Sequence, residues 1–296
     1  MRIVSLLPSA TEIVFALGRG EDLVGVTFEC DYPPAARTRR VVSTSALPEG
    51  LTPAEIDAVV TQRIAAGEDL YHLDRDALAG LDADLVLTQD LCAVCAVDVS
   101  EVDDALAYLG CHADVVTLDP RSLGEVLASI VTVGDCLGVG GAARALADSL
   151  QSRLDALDAM LDGAPRPPVL VLEWTDPAFS AGHWVPDLVT AGGGTAVLAD
   201  PGRDSRRLDW DVVATTPADV VIAAPCGYHL DASADLAAAL LEGDAVPEGA
   251  AVWSVDADGY FVRPGPRVVG GAEIVAGILH PELVGAPDPL TARRLR

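Results

Sequence analysis

Cys92 and Cys95 stand three residues apart in TQDLCAVCAV (88–97), directly after an apolar run. That spacing suits three chemistries: a dithiol redox pair, two thiolate ligands of one zinc ion or iron–sulfur cluster, or small polarisable lining for a pocket. A redox pair normally opens a helix, whose dipole lowers the pKa of the first thiol. Here the next helix start is Ser100, with Asp103 at the capping-box spacing, so both thiols belong to the preceding loop, which counts against redox catalysis. A metal site needs more ligands, and two further cysteines, Cys30 and Cys226, also fall just after predicted strands, with His183 as another candidate. Cys30, Cys92, Cys95 and Cys226 therefore form the candidate metal set, whereas Cys111 and Cys136 read as structural.

Other chemistry-bearing residues also gather at strand ends. Trp174, His183 and Trp184 bunch within a chain that has four tryptophans, either as ordinary packing or as a platform for a flat ring system, and His183 is a possible ligand to a metal or to the metal of a bound chelate. The 261–267 segment, FVRPGPR, is a Pro-Gly turn carrying Arg263 and Arg267, suited to clamping a carboxylate or phosphate. Ser9 and Thr11, after the first strand, read as caps of the helix that follows. No complete nucleophile triad or carboxylate pair can be placed, so a binding protein is favoured over an enzyme.

These residues need a scaffold that brings strand ends together. Short β-branched runs alternate with Ala/Leu/Asp-rich stretches in the order βαβα, and strands buried on both faces imply mainly parallel sheets covered by helices. In such sheets ligands gather at the carboxyl ends of the strands. From 122 to 162 the pattern is almost wholly helical, interrupted near Gly138, and ends in the long amphipathic stretch 142–161, stopped by Gly163 and the prolines beyond it. The expected fold is α/β: two Rossmann-like lobes joined by one long backbone helix. Its parts are an N-terminal lobe (1–121), a helical linker (122–162), a C-terminal lobe (163–283) and a tail (284–296) whose last residues, DPLTARRLR, read as frayed. Gly192, Gly193 and Gly194 follow a helix and read as its C-cap and turn, not as a dinucleotide loop.

Composition narrows the function further. Among 296 residues there are 45 acidic and 19 basic side chains, for a formal charge of -26, which opposes binding to nucleic acid or anionic lipid. All the basic residues are arginines, so mechanisms that need a lysine Schiff base or a P-loop lysine are excluded. Pro8, Ser9, Thr11 and Glu12 interrupt the apolar start, no segment approaches a membrane span, and the chain reads as cytoplasmic, where six cysteines are thiols or ligands before they are disulfides.

The opening RIVSLLPSATEIVFALG, VGVTFECDYPP, the TQDLCAVCAV loop, EWTDPAFSAGHWVPDLVTAGG, APCGY and RPGPRVVGGAEIVAGILHPE together resemble the helical-backbone class of solute-binding proteins. The branch they resemble binds vitamin B12 or iron chelates for ABC importers, and the resemblance spans residues 1 to 283. It implies a cobalamin-like or other metal-chelate ligand held in an interlobe cleft. The pocket residues it implies are Glu29, Cys30, Gln89, Cys92, Cys95, Trp174, His183, Trp184, Cys226, Tyr228 and Arg263. The alternative is a cytoplasmic metalloprotein, redox or enzymatic, with zinc or an iron–sulfur cluster on the cleft cysteines. Exported members of the class carry a signal peptide or a lipid-anchor cysteine, so the sequence points to a cytoplasmic relative acting apart from a membrane importer.

Overall fold

A computed structural model describes residues 1–89, 113–243 and 245–296. The chain divides into two compact units, Met1–Asp119 with Ala128–Ala147, and Pro120–Leu127 with Asp148–Arg296. Two successive helices, Leu123–Cys136 and Gly140–Met160, each contribute residues to both units, the second of them being the long helix that the sequence places at 142–161.

Among the described residues, the first unit holds β1 (Ile3–Ser5), β2 (Leu23–Thr27), β3 (Val41–Ser45), β4 (Tyr71–Leu73), β5 (Leu85–Thr88) and β6 (Asp114–Thr117), in the sheet order β4-β3-β2-β1-β5-β6. All neighbours are parallel except β3 with β4. Leu85, Val86, Leu87 and Thr88 are all buried, as a strand covered on both faces requires. Val4, Leu6, Val42, Leu78, Leu81 and Val86 lie in one core cluster of this unit.

The second unit contains β7 (Pro168–Thr175), β8 (Ala178–Ser180), β9 (Gly182–His183), β10 (Thr195–Ala196), β11 (Asp200–Pro201), β12 (Val220–Ala223), β13 (Ala251–Val255) and β14 (Ala292–Arg294). The main sheet runs β10-β7-β12-β13-β14, with β8 folded back on β7, and β9 and β11 pair separately. Val221 lies between Leu170 and Val252 in register, all three fully buried. The mixed, mainly parallel sheets agree with the α/β reading.

Two local expectations are corrected. The end of the chain is not frayed: Ala292, Arg293 and Arg294 pair antiparallel with Val255, Ser254 and Trp253. An edge strand satisfies its backbone through its neighbour, so this segment needs no apolar periodicity of its own beyond the buried Ala292. The helix Pro8–Ala16 has Leu7 as its N-cap and no side-chain cap, so Ser9 and Thr11 lie inside it. Proline is suited to the first helical position, since its fixed φ fits the helix and its missing N–H would have had no partner within it, so the helix starts at Pro8, ahead of both hydroxyls. The glycine run behaves as read, with Gly192 capping the helix Val185–Ala191 and Gly193 at φ 82°. Among the described residues, no helix is long and apolar enough to cross a membrane.

Candidate functional site

In the first unit, buried polar groups collect at the carboxyl ends of the strands. The Ser5 hydroxyl donates to the Leu7 carbonyl at 3.0 Å, and the Thr11 hydroxyl donates to Ser5 Oγ at 2.9 Å. Cys30 Sγ lies 3.0 Å from Thr11 Oγ1. In this contact either the thiol or the hydroxyl can be the donor. Cys30 is thus buried against two hydroxyl-bearing side chains at the end of β2. Next to it, half-buried Glu29 accepts from the Tyr71 hydroxyl at 3.3 Å, and the Phe28 ring lies 6.1 Å from that of Tyr71. Gln89 is buried one residue beyond β5. Cys92 and Cys95 lie outside the described residues.

In the second unit, β7 extends through Glu173 and Trp174 to Thr175, because β8 turns back to pair Trp174 with Phe179. The Glu173 carbonyl accepts from the Cys226 amide at 3.0 Å, and its carboxylate accepts from the Gly182 amide at 2.8 Å. Glu173 therefore ties the loop after β12 and the residue preceding His183 to the end of β7. The Trp174 indole N–H donates to the Asp176 carbonyl at 3.0 Å, and its ring lies 5.8 Å from the Tyr228 ring, tilted by 54°. Burial pushes the Tyr228 phenol above its usual range, so it stays a neutral donor. Cys226, half-buried, belongs to the same loop.

His183 adopts a left-handed backbone (φ 48°), with its Nε2 3.1 Å from an Asp204 carboxylate oxygen. Burial lowers its pKa, opposed by the charge and hydrogen bond of Asp204 and reinforced by the charge of Arg121. A neutral imidazole is the form that can ligate a metal. The unfolded histidine then takes a proton first as the pH falls, so this group's contribution to stability is complete above its ordinary value of 6.5 and is lost as the pH falls below it. The stability of the wild type relative to His183→Gln is expected to drop between pH values of about 7.5 and about 5.5. Urea midpoints of both proteins at the two values check this, and a constant difference refutes it.

Trp184 takes the packing alternative. Only 5% of it is exposed, and its indole N–H donates to the Phe261 carbonyl at 2.7 Å. Arg263 does clamp a carboxylate, but an internal one: Asp258 Oδ2, at 3.0 Å. Trp174, Cys226 and Tyr228 thus meet at two adjoining loops, with Arg263 joined to them through Asp258, while His183 connects through Gly182 and Glu173. Sequence reasoning missed Glu173, Asp204 and Asp258. The sequence holds a signal for Asp258, since DADGY (256–260) directly follows the carboxyl end of β13. Among the described residues, no group of three or more His, Cys, Asp or Glu is placed to hold a metal ion, so the zinc or iron–sulfur reading gains no support from them.

Parallel strands whose carboxyl-end loops carry aromatic and polar groups define the α/β binding-protein class, whose ligands meet strand-end loops. The sequence profile of the periplasmic binding proteins matches residues 3–246, and the chain belongs to that family. A cobalamin-binding protein of Halobacterium salinarum is 25% identical over 289 residues, an alignment covering 94% of this chain and 69% of the relative. Among solved structures, a periplasmic haem-binding protein of Pseudomonas aeruginosa matches with a TM-score of 0.73 at 20% identity, covering 100% of this chain and 98% of that one. The periplasmic vitamin B12-binding protein of Vibrio cholerae matches with a TM-score of 0.62 at 21% identity, covering 94% and 96%. At these identities the two structures establish the fold.

Proposed function

We propose that this protein binds a cobalamin-like corrinoid or another flat metal chelate such as haem. The observation that carries the reading is the Trp174–Tyr228 pair at the ends of β7 and β12, in the same unit as a histidine that burial keeps neutral. Stacked or tilted aromatic rings offer a broad apolar face to a macrocycle, and a neutral imidazole is the common protein ligand for a chelated metal. The relatives support the reading, since they include proteins described as binding cobalamin and haem. The first unit's Glu29, Cys30 and Gln89 belong to the proposal as a second set of candidate contacts.

Titration with hydroxocobalamin and, separately, with haemin, followed by visible absorption, tests the proposal. Binding of one of them is expected, with a shift of its absorption bands. Trp174→Ala is expected to weaken that binding roughly tenfold, the equivalent of one aromatic contact of about 1.4 kcal/mol. A folded wild type that changes neither spectrum refutes the reading.

A further inference from the structure

Resting on that reading, we propose that Asp258 is a positioning residue that holds the 224–229 loop so that Tyr228 stands against Trp174. Asp258 is 6% exposed, and a buried carboxylate is tolerated only when its oxygens are satisfied. Its two oxygens serve different segments: Oδ1 accepts from the Gly227 amide at 2.9 Å, and Oδ2 accepts from the Arg263 guanidinium at 3.0 Å. Its own amide donates to the Tyr228 carbonyl at 3.2 Å. One residue therefore grips both flanks of the Gly227–Tyr228 peptide while its charge is matched from the far side.

The neighbouring aspartate extends the grip. Asp256 Oδ1 lies 2.8 Å from His229 Nδ1 and also accepts from the Gly259 amide at 3.0 Å, which fixes the start of the Ala257–Tyr260 helix. Gly227, Tyr228 and His229 are thus each tied to the segment that follows β13. The loop also needs this tether at its tip, because Gly227 takes a left-handed φ of 86° and lies exposed. Without the Asp258 carboxylate the loop keeps backbone bonds alone around Tyr228: its amide to the Pro225 carbonyl at 3.3 Å, its carbonyl from the amide of residue 258 at 3.2 Å, and the Cys226 amide to the Glu173 carbonyl of β7 at 3.0 Å.

The test compares Asp258→Ala and Asp258→Asn with the wild type. Asparagine retains an acceptor for Gly227 but turns a donor toward Arg263, so it restores the loop tether in part, whereas alanine removes both bonds. Amide hydrogen exchange is read over residues 224–229, with 168–175 in β7 as the internal control. Exchange in the loop is expected to rise about tenfold or more in the alanine variant and less in the asparagine variant, with β7 unchanged. Unchanged exchange in the loop of the folded variants overturns the assignment; if the alanine variant does not fold, the asparagine variant decides it. Hydroxocobalamin binding by the wild type tests the functional reading separately. Where the wild type binds, affinity is expected to fall about tenfold in the alanine variant with partial recovery in the asparagine variant, and equal affinity despite a loosened loop overturns the role of Asp258 in ligand positioning.

Discussion

Replacing Trp184 with alanine is expected to destabilise the fold by about 3–5 kcal/mol, read as a lower urea midpoint at unchanged slope. The indole is 5% exposed and lies immediately before the helix Val185–Ala191, so truncation leaves a cavity that the surrounding structure fills only in part. It also deprives the buried Phe261 carbonyl of the indole donor at 2.7 Å. Trp184→Phe separates the two effects. A six-membered ring remains, while the donor and the smaller part of the ring volume are lost, so a cost of about 1–3 kcal/mol is expected, mostly that of an abandoned buried acceptor. A ligand platform would behave in the opposite way, weakening chelate binding while leaving the urea midpoint in place. An alanine variant as stable as the wild type would overturn the packing assignment.

A chain shortened by residues 291–296 is the second large expected effect. Those residues supply the Leu295 amide to the Val252 carbonyl at 2.8 Å, the Arg296 carbonyl to the Val252 amide at 3.2 Å and the Thr291 carbonyl to the Asp256 amide at 2.8 Å. The Arg296 side chain adds bonds to the carbonyls of Ala250 and Pro247 at 3.0 and 2.8 Å. At net values near 1 kcal/mol each, their loss destabilises by about 3 kcal/mol or more. The sequence AVWSV of β13 would then become an unpaired, uncharged strand edge, a ready template for association. Chemical unfolding and size-exclusion chromatography of the shortened chain are expected to show a lower midpoint together with larger species. A monomer as stable as the parent would show that β14 is dispensable.

Much of the scaffold was legible in the sequence. Short β-branched runs such as LVL and VVIA fit strands covered on both faces, and their alternation with helical stretches points to a mainly parallel sheet. The strand-end rule then led to Trp174 and Cys226, and the resemblance added Tyr228; the structure places the three together. The last strand was not legible, because β14 carries two arginines in three residues and depends on pairing with β13, a partner some forty residues earlier in the chain. Nor did spacing tell the two tryptophans apart. Trp174 and Trp184 lie ten residues apart in the same motif, yet one is half-buried beside Tyr228 and the other is packed under Phe261.

The sequence by itself determined most of the elements and their order, β14 apart, because hydrophobic period, proline and glycine act locally and leave their mark within a few residues. It also determined the excess of negative charge and the absence of lysine. Only the tertiary structure decided the roles of individual polar groups. That Cys30 meets Thr11, nineteen residues before it, follows from the packing of the first helix on the strand ends, and that Arg263 is matched internally follows from a buried aspartate five residues before it. Hydrogen bonds and charge pairing depend on distances of a few tenths of an ångström between groups from different segments, and no sequence spacing encodes which donor reaches which acceptor.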